Sequence, residues 1–367
     1  MKPALIALAL WAALAVACPV HAEDTGWDWA RDAALPEWVP PPLVPPDNPM
    51  RRPKVLLGRY LFYDRRLSAD GTMSCGSCHH HDRGFADPRR VATGVDARPG
   101  ILNPPSTANV ANLPVLTWAN PGERTLEQQL LIPLFGAHPL ELGMSGRDGA
   151  LFDALRADPI YPPLFARAFP ETEGEISLAA VAKAIAAFER SITSFRSPYD
   201  RAHHGGEPDA MNPAARRGEA LFFGERLECY HCHNGLTFTD NIVHSRLPVA
   251  EIGYHDTGVA RSGGIGELTG DRTQRGTFRT PTLRNVALTA PYMHDGSMAS
   301  LDAVLAHYAR GGRLHGPNTS PLLRGFRLSA GERADVKAFL ESLSDTALTV
   351  DPHWSDPWPG AAREVPK

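Results

Sequence analysis

The pattern C-x-x-C-H occurs twice in this chain, and it is the spacing that attaches a haem covalently. Two thiols separated by two residues can form thioether bonds to the haem vinyl groups, and the adjacent imidazole can bind the iron. Disulfides or a Cys2His2 zinc site are less well matched, because a histidine directly follows each cysteine pair. We therefore predict two covalently bound c-type haems. Their ligands are Cys75, Cys78 and His79 in the first motif and Cys229, Cys232 and His233 in the second.

The second axial position of each iron decides whether a haem only carries electrons or also binds peroxide. After His81 the next histidine is His138, and the interval contains no Met or Cys. The first haem therefore lacks an evident second ligand in its own loop. We expect its sixth position to be open.

A helix in the second half offers a ligand for the second haem. Ser300 is expected to cap this helix, and Tyr308 falls on the same face as its apolar residues. His307 is rotated about 100° away from that face and is the weaker candidate. The residues that share the face with Tyr308 are Leu301, Val304 and Leu305.

An internal repeat precedes the two haem motifs. Six residues recur with identical spacing, which indicates a duplicated chain. They are Pro53, Gly58, Leu61, Phe62, Arg66 and Leu67 in the first copy and Pro213, Gly218, Leu221, Phe222, Arg226 and Leu227 in the second. Asn48-Pro49 and Asn212-Pro213 are each predicted to start a helix.

Each copy is predicted to close with a helix. After Ser177 an apolar stripe at steps of three and four continues to Phe195 and is ended by Pro198. Ser329 and Glu332 have the spacing of a capping box for the second closing helix. The stripes comprise Leu178, Val181, Ile185, Phe188, Ile192 and Phe195, and Val336, Phe339, Leu340 and Leu343.

Composition and the N-terminus indicate an exported protein. With 37 basic and 41 acidic residues the net charge is only −4, so nucleic acid is not an expected partner. A basic residue and a short apolar stretch before Glu23 are typical of a cleaved signal peptide. No later segment has the length of a membrane span, so we expect a periplasmic protein without one after cleavage.

These features divide the chain into five predicted segments. A signal peptide and a Pro- and Trp-rich arm precede an N-terminal cytochrome c domain with the peroxide-binding haem. A C-terminal cytochrome c domain with a low-spin haem and a short tail follow. The predicted boundaries are 1–22, 23–47, 48–205, 206–345 and 346–367.

Beyond the haem motifs, the chain resembles the bacterial di-haem cytochrome c peroxidase and MauG superfamily. Shorter segments resemble its MbnH branch, the methanobactin-associated di-haem enzymes. The superfamily segments are 280–286 (TPTLRNV) and 290–297 (APYMHDGS), and those of the branch are 57–64, 116–121 and 139–143. The resemblance implies an all-α fold of two tandem c-type cytochrome domains with long loops. Each domain would bury a haem, and a domain interface would lie between them.

The resemblance also assigns residues to the reaction. Gln129, Pro133 and Glu141 would lie over the open haem, although Glu141 is displaced by two residues relative to classical di-haem peroxidases. A carboxylate there can move a proton between the peroxide oxygens. Trp118 would lie between the haems. Tyr308 occupies the position where MauG has a ligating tyrosine and other members have Met.

A calcium ion between the domains is a further implication of the resemblance. Asn103 would supply a side-chain oxygen, and backbone carbonyls near Arg279 and Pro281 would complete the site with waters. Oxygen ligands are those that a hard cation prefers.

Three functions remain open on this basis. The first is a MauG-like oxidase that uses hydrogen peroxide to reach a high-valent di-haem state and oxidises a tryptophan of a periplasmic MbnP-like partner to kynurenine. The second is a peroxidase supplied with electrons by a small cytochrome or copper protein. The third is a non-catalytic di-haem electron carrier. Tyr308 favours the first over the second, and Gln129 and Glu141 argue against the third.

Overall fold

A computed structural model of the protein describes residues 35–260 and 262–358. The predicted signal peptide lies outside the described residues, as do Trp27 and Trp29 of the N-terminal arm. The described part is mostly helical. Its α-helices are α1 (Arg52–Phe62), α2 (Leu126–Gln129), α3 (Leu131–Phe135), α4 (Asp148–Ala157), α5 (Tyr161–Ala168), α6 (Leu178–Ser191), α7 (Pro198–His203), α8 (Pro213–Phe222), α9 (Gly266–Thr269), α10 (Leu301–Ala309) and α11 (Ala330–Ser342).

Helices α1 and α6 cross closely in the first half. Gly58 makes this approach possible, because a Cβ there would overlap the backbone carbonyl of Ala184 and the side chain of Phe188. Phe188 is fully buried and lies 5.1 Å from Phe62, centroid to centroid. The crossing therefore forms the centre of the first hydrophobic core.

Helices α8 and α11 repeat this arrangement in the second half. A Cβ at Gly218 would overlap the backbone carbonyl of Asp335 and the side chain of Phe339. In both copies the two obstructing residues are four apart, one helical turn. The sequence repeat thus corresponds to a repeated helix crossing.

Capping explains where several of these helices begin. Ser329 and Glu332 form the predicted capping box of α11, and the Asn212 side chain accepts from the Ala215 amide at 2.8 Å, as predicted for α8. The Asn48-Pro49 prediction is wrong, because α1 begins at Arg52. Asn48 is fully buried and instead donates from its side-chain amide to Glu127 at 2.6 Å.

The closing helix of the first half is shorter than predicted. α6 ends at Ser191, although the apolar stripe continues to Phe195. Asn109 takes over the hydrogen bonding of the next residues: its backbone amide donates to the Ile192 carbonyl at 2.8 Å, and its side chain accepts from the Ser194 amide at 2.8 Å. A residue distant in the chain therefore replaces the helical bonds.

The all-α prediction needs one correction, because the described chain contains two short antiparallel ribbons. β1 (Asn241–His244) pairs with β2 (Leu247–Ile252), and β3 (Tyr254–His255) pairs with β4 (Phe278–Arg279). The second ribbon brings the chain after the second haem motif against the 278–281 segment. Paired backbone groups satisfy their hydrogen bonds where no helix passes.

The described parts of both arms pack on the helical core. Trp38 stacks on His204 at 3.9 Å between ring centroids. In the tail, the backbone carbonyl of Trp354 accepts from the Tyr63 hydroxyl at 2.6 Å. Trp358 lies 5.0 Å from the Tyr60 ring, edge to face. No described helix is long and apolar enough to cross a lipid bilayer.

The helix crossings predict a stability difference between glycines. Gly58→Ala and Gly218→Ala should each destabilise the holoprotein by at least about 2 kcal/mol, because the new methyl group meets a backbone carbonyl that cannot move aside. Gly331→Ala in α11 is the matched control, since a Cβ there has nothing within 4 Å. Thermal unfolding of the three variants measures this, and equal midpoints would contradict the close crossing.

Candidate haem sites

The two cysteine pairs lie on matching turns. Cys75–Ser77 and Cys229–His231 each form a single 3-10 turn, and the second cysteine of each motif follows directly. The first turn is fixed by Ser74, whose backbone amide donates to the Ser77 hydroxyl at 3.0 Å. All four thiols are free. None of them forms a disulfide, so all four are available for thioether bonds.

Both motif histidines are oriented by the same contact. His79 Nδ1 donates to the Phe85 carbonyl at 3.1 Å, and His233 Nδ1 donates to the Phe238 carbonyl at 3.0 Å. A carbonyl can only accept, so the proton is on Nδ1 and Nε2 keeps the lone pair that an iron requires. Burial lowers the pKa of both histidines, which also favours the neutral ligand form.

Backbone conformation makes this contact possible. Phe85 and Phe238 both have positive φ, 62° and 52°. This left-handed turn aims the carbonyl back at the histidine ring. Such a conformation is costly for an aromatic residue and is maintained only where the surroundings enforce it. Both residues are fully buried.

A large cavity in the second half joins the second motif to the α10 helix. Cys229, Cys232 and His233 line it on one side, and Tyr308 of α10 lines it too. Apolar side chains form much of its wall, namely Phe222, Leu283, Leu305, Val336 and Leu340. Thiols, an oriented imidazole and an apolar wall are the donor set and surroundings that a c-type haem needs.

Tyr308 and His307 are separated by the geometry of α10. The Ser300 hydroxyl caps this helix as predicted, accepting from the Ala303 amide at 3.2 Å. His307 is fully buried away from the cavity, and its Nε2 donates to the Thr257 carbonyl at 2.8 Å. Burial raises the pKa of Tyr308 well above its ordinary value of 10, so the phenol is neutral unless a cation replaces its proton.

The three residues expected over the first haem come from adjacent elements. Gln129 ends α2, and Pro133 lies in α3. The loop with Glu141 returns against α3, because the Leu142 amide donates to the Pro133 carbonyl at 2.9 Å. Burial is the main reason that the pKa of the Cys75 and Cys78 thiols is raised, and the charge of Glu141 adds a smaller contribution to both. The fold therefore brings Glu141 towards the first haem motif.

Two features of this region were missed by the sequence analysis. Glu189 of α6 is a buried carboxyl beside Cys75, and burial raises its pKa to about 8. Arg190 pairs with Glu127 at 2.6 Å and ties α6 to the α2 helix that carries Gln129. In the sequence, these two residues could have been noticed as charged groups in the last turn of a mostly apolar helix.

Trp118 is nine-tenths buried and lines the cavity beside the second cysteine–histidine motif. Its indole Nε1 donates to the Asn103 carbonyl at 2.7 Å. The Asn103 side-chain amide nitrogen donates to the carbonyls of Arg89 and Arg90, both at 3.2 Å. Asn103, Arg279 and Pro281, the three residues expected to bind calcium, all line the same cavity as Trp118.

A further polar cluster adjoins the second motif and was also missed. His255 Nε2 and Asp240 Oδ2 lie 2.6 Å apart. With the Cys232 sulfur they form the one Cys, His and carboxylate group of metal-binding proximity within the described residues. Asp240 is the last residue of Phe238-Thr239-Asp240, which matches Phe85-Ala86-Asp87 after the first motif. Its hydrogen-bonded carboxylate raises the pKa of His255 to about 10.

Comparisons with known proteins agree with this architecture. The family model for di-haem cytochrome c peroxidase matches residues 52–208. The methylamine utilization protein MauG of Methylorubrum extorquens is 35% identical over 84% of this chain and 82% of its own length. The cytochrome-c peroxidase IdrP1 of Denitromonas iodatirespirans is 34% identical over 91% of this chain and 92% of its own length.

A solved structure gives the same result. The crystal structure of a MauG-like protein associated with microbial copper homeostasis has a TM-score of 0.85 and 43% identity, covering 91% of this chain and 100% of that chain. This likeness is consistent with the predicted MbnH branch. The predicted family and enzyme class are confirmed. The chain belongs to the di-haem cytochrome c peroxidase and MauG family, and it is a haem-dependent oxidoreductase that acts with peroxide.

Proposed function

We propose that this protein is a periplasmic MauG-like oxidase that uses hydrogen peroxide to convert a tryptophan of an MbnP-like partner protein to kynurenine by long-range electron transfer. The observation that carries the proposal is the position of Tyr308 in the cavity that also contains His233. A phenolate donates charge to oxidised iron and lowers its potential, which favours retention of oxidising equivalents over delivery of electrons. The likeness to the copper-homeostasis protein supports the MbnP-like partner.

The two haems would supply the redox chemistry with peroxide. In the proposed arrangement, residues 48–205 would bind the reactive haem through Cys75, Cys78 and His79. Residues 206–345 would bind the second haem through Cys229, Cys232 and His233, with Tyr308 as a further ligand. The Nδ1–carbonyl bonds of both histidines fix the ring orientation and increase the basicity of Nε2.

Glu141 is the proposed acid and base. It would take a proton from the inner peroxide oxygen and return it to the outer one, which makes water the leaving group. Burial raises the pKa of Glu141 above its ordinary value of 4.5 and so makes its carboxylate a stronger base. Gln129 would orient the peroxide by hydrogen bonding, and Pro133 offers an apolar surface that limits water.

Trp118 is the proposed electron path between the halves. It lines the cavity that would hold the second haem, and its Nε1 donates to the Asn103 carbonyl.

Asn103 and the carbonyls of Arg279 and Pro281 remain the proposed calcium ligands. They offer neutral oxygens, which fits a hard cation that keeps several waters.

A peroxidase that takes electrons from a small cytochrome or copper protein is the second candidate. The relationship to IdrP1, a cytochrome-c peroxidase of nearly the same length, favours it. The two functions differ in whether the second haem stores an oxidising equivalent or delivers electrons. The nature of the ligand at position 308 is therefore the decisive point.

The axial ligands predict two spin states. The holoprotein should contain two covalent haems, one high-spin at His79 and one low-spin at His233, because Tyr308 is available only to the second. Haem quantification and electron paramagnetic resonance of the oxidised protein measure this. Two low-spin centres would show that the first haem is closed.

Replacement of Glu141 by Gln should slow the reaction with peroxide by about 100- to 10,000-fold, since an amide cannot transfer the proton. The wild-type rate should fall on the acid side at a pH above 4.5, because the raised pKa removes the carboxylate earlier as pH falls. This limb should be absent in the variant. Stopped-flow kinetics across pH measure both effects.

Glu251→Gln is the control for that experiment, because Glu251 is an exposed carboxylate on β2. It should react at the wild-type rate. A Glu141→Gln rate within about threefold of wild type would assign the proton transfer to another residue.

Replacement of Tyr308 by Met should raise the potential of the second haem, within the range of roughly 0.8 V that axial ligands span. Oxidation of the partner should be lost while peroxide still reacts at the first haem. Spectroelectrochemistry and mass spectrometry of the partner tryptophan measure these effects. Tyr308→Phe, which removes only the oxygen, should leave the second haem high-spin.

His307→Gln is the matched control on the neighbouring position and should keep the low-spin signal. A Tyr308→Met protein that oxidises the partner at the wild-type rate would contradict the role proposed for the second haem. A low-spin signal lost in His307→Gln and kept in Tyr308→Phe would identify His307 as the ligand.

A further inference from the structure

Arg279 is a buried guanidinium whose hydrogen bonds go to neutral groups. It is 3% exposed. Its Nε donates to the Thr117 carbonyl at 2.8 Å and its Nη2 to the Leu116 carbonyl at 3.5 Å. Among the described residues, no carboxylate forms an ion pair with it. A guanidinium keeps its charge at neutral pH even when it is buried.

This charge lies beside Trp118. The guanidinium carbon of Arg279 is 5.3 Å from the centroid of the indole ring. The backbone amide of Arg279 also donates to the Trp118 carbonyl at 2.9 Å, which fixes the two residues relative to each other. Trp118 is 7% exposed, so little water screens the interaction.

Two neighbours of Trp118, the Arg279 guanidinium and the Asn103 carbonyl, disfavour oxidation of the indole. Removal of one electron from Trp118 creates a cation next to an existing cation, and their repulsion raises the energy of that state. A neutral radical would require loss of the Nε1 proton. That proton is donated to the Asn103 amide carbonyl at 2.7 Å, and an amide oxygen is too weak a base to accept it.

We propose that Arg279 protects Trp118 from oxidation by the enzyme's own peroxide reaction, so that electrons cross this residue without leaving it as a radical or an oxygenated product. The inference rests on the proposed function, in which the enzyme oxidises a tryptophan elsewhere. It assigns a reason why the partner's indole reacts and the enzyme's indole does not. Arg279 is a positioning and charge-tuning residue in this role.

The damaging reaction that Arg279 prevents is a two-electron oxidation of the indole. Trp118 loses two electrons in successive steps, water adds one oxygen to the indole, and two protons leave. Hydrogen peroxide takes up two electrons and two protons and becomes two molecules of water. The net products from Trp118 and peroxide are hydroxytryptophan and one water.

The test uses the haem-loaded full chain with excess peroxide and no partner. Peptide mass spectrometry measures oxygen added at Trp118, and freeze-quenched electron paramagnetic resonance measures a tryptophan radical. The Arg279→Gln variant keeps hydrogen-bond donors without the charge. Its Trp118 should become oxidised about tenfold faster than Trp118 of the wild-type protein, or faster still. Arg279→Lys keeps the charge and should stay close to wild type.

Arg333→Gln is the matched control, because it removes one exposed arginine from α11. It should behave like wild type. In the Arg279→Gln background, Trp118→Phe should abolish the radical signal. Equal Trp118 oxidation in wild type, Arg279→Gln and Arg279→Lys would overturn the proposal, since a purely structural arginine predicts no dependence on charge.

Two further measurements test the proposal, and the first of them needs only the wild-type protein. In wild type, Trp118 should stay unmodified while other residues acquire oxygen, and Trp118 as the main oxidised residue would overturn the proposal. A photogenerated ruthenium(III) complex can replace peroxide as a one-electron oxidant. A lower yield of Trp118 radical in wild type and Arg279→Lys than in Arg279→Gln supports charge protection even if the enzyme proves to be a peroxidase.

Discussion

The close crossing of α1 with α6 and of α8 with α11 is the constraint on which the rest of this structure depends. Gly58 and Gly218 permit it, because any side chain at either position would meet the backbone of the facing helix. Each crossing fixes where the chain leaves α1 or α8, and a haem motif lies in the loop that follows that helix. Although the connecting loops differ in length, the two motifs form matching turns, and the histidine contacts with the Phe85 and Phe238 carbonyls repeat.

The two halves differ in the segments that lie opposite the motif histidines. In the second half, α10 brings a phenol to the cavity and keeps His307 on a backbone carbonyl. In the first half, the loop with Glu141 returns against α3. One duplicated scaffold thus supports two chemically distinct environments. The motif histidines follow the repeated helices, whereas Glu141 and Tyr308 come from segments that the two copies do not share.

Buried polar groups tie these environments together. Glu127 of α2 binds both Asn48 and Arg190. Arg284 pairs with Asp200 at 2.9 Å and connects the 280–286 segment to α7. Such pairs cost desolvation energy, and removal of one partner leaves a buried charge unpaired. Arg279 is unusual in this set, since its charge meets carbonyl dipoles and an indole ring.

The paired cysteine–histidine turns, the repeat and the face of α10 could all be predicted from the amino-acid sequence, because each depends on residues that are close together in the chain. Other features follow from long-range packing. α6 stops at Ser191 because Asn109 binds the backbone that follows. Asn48 donates to Glu127 and does not cap α1. The Arg279–Trp118 contact joins segments about 160 residues apart in the chain. Local spacing carries no information on such pairs, since burial and tertiary packing alone set which groups meet and which charges lose their water.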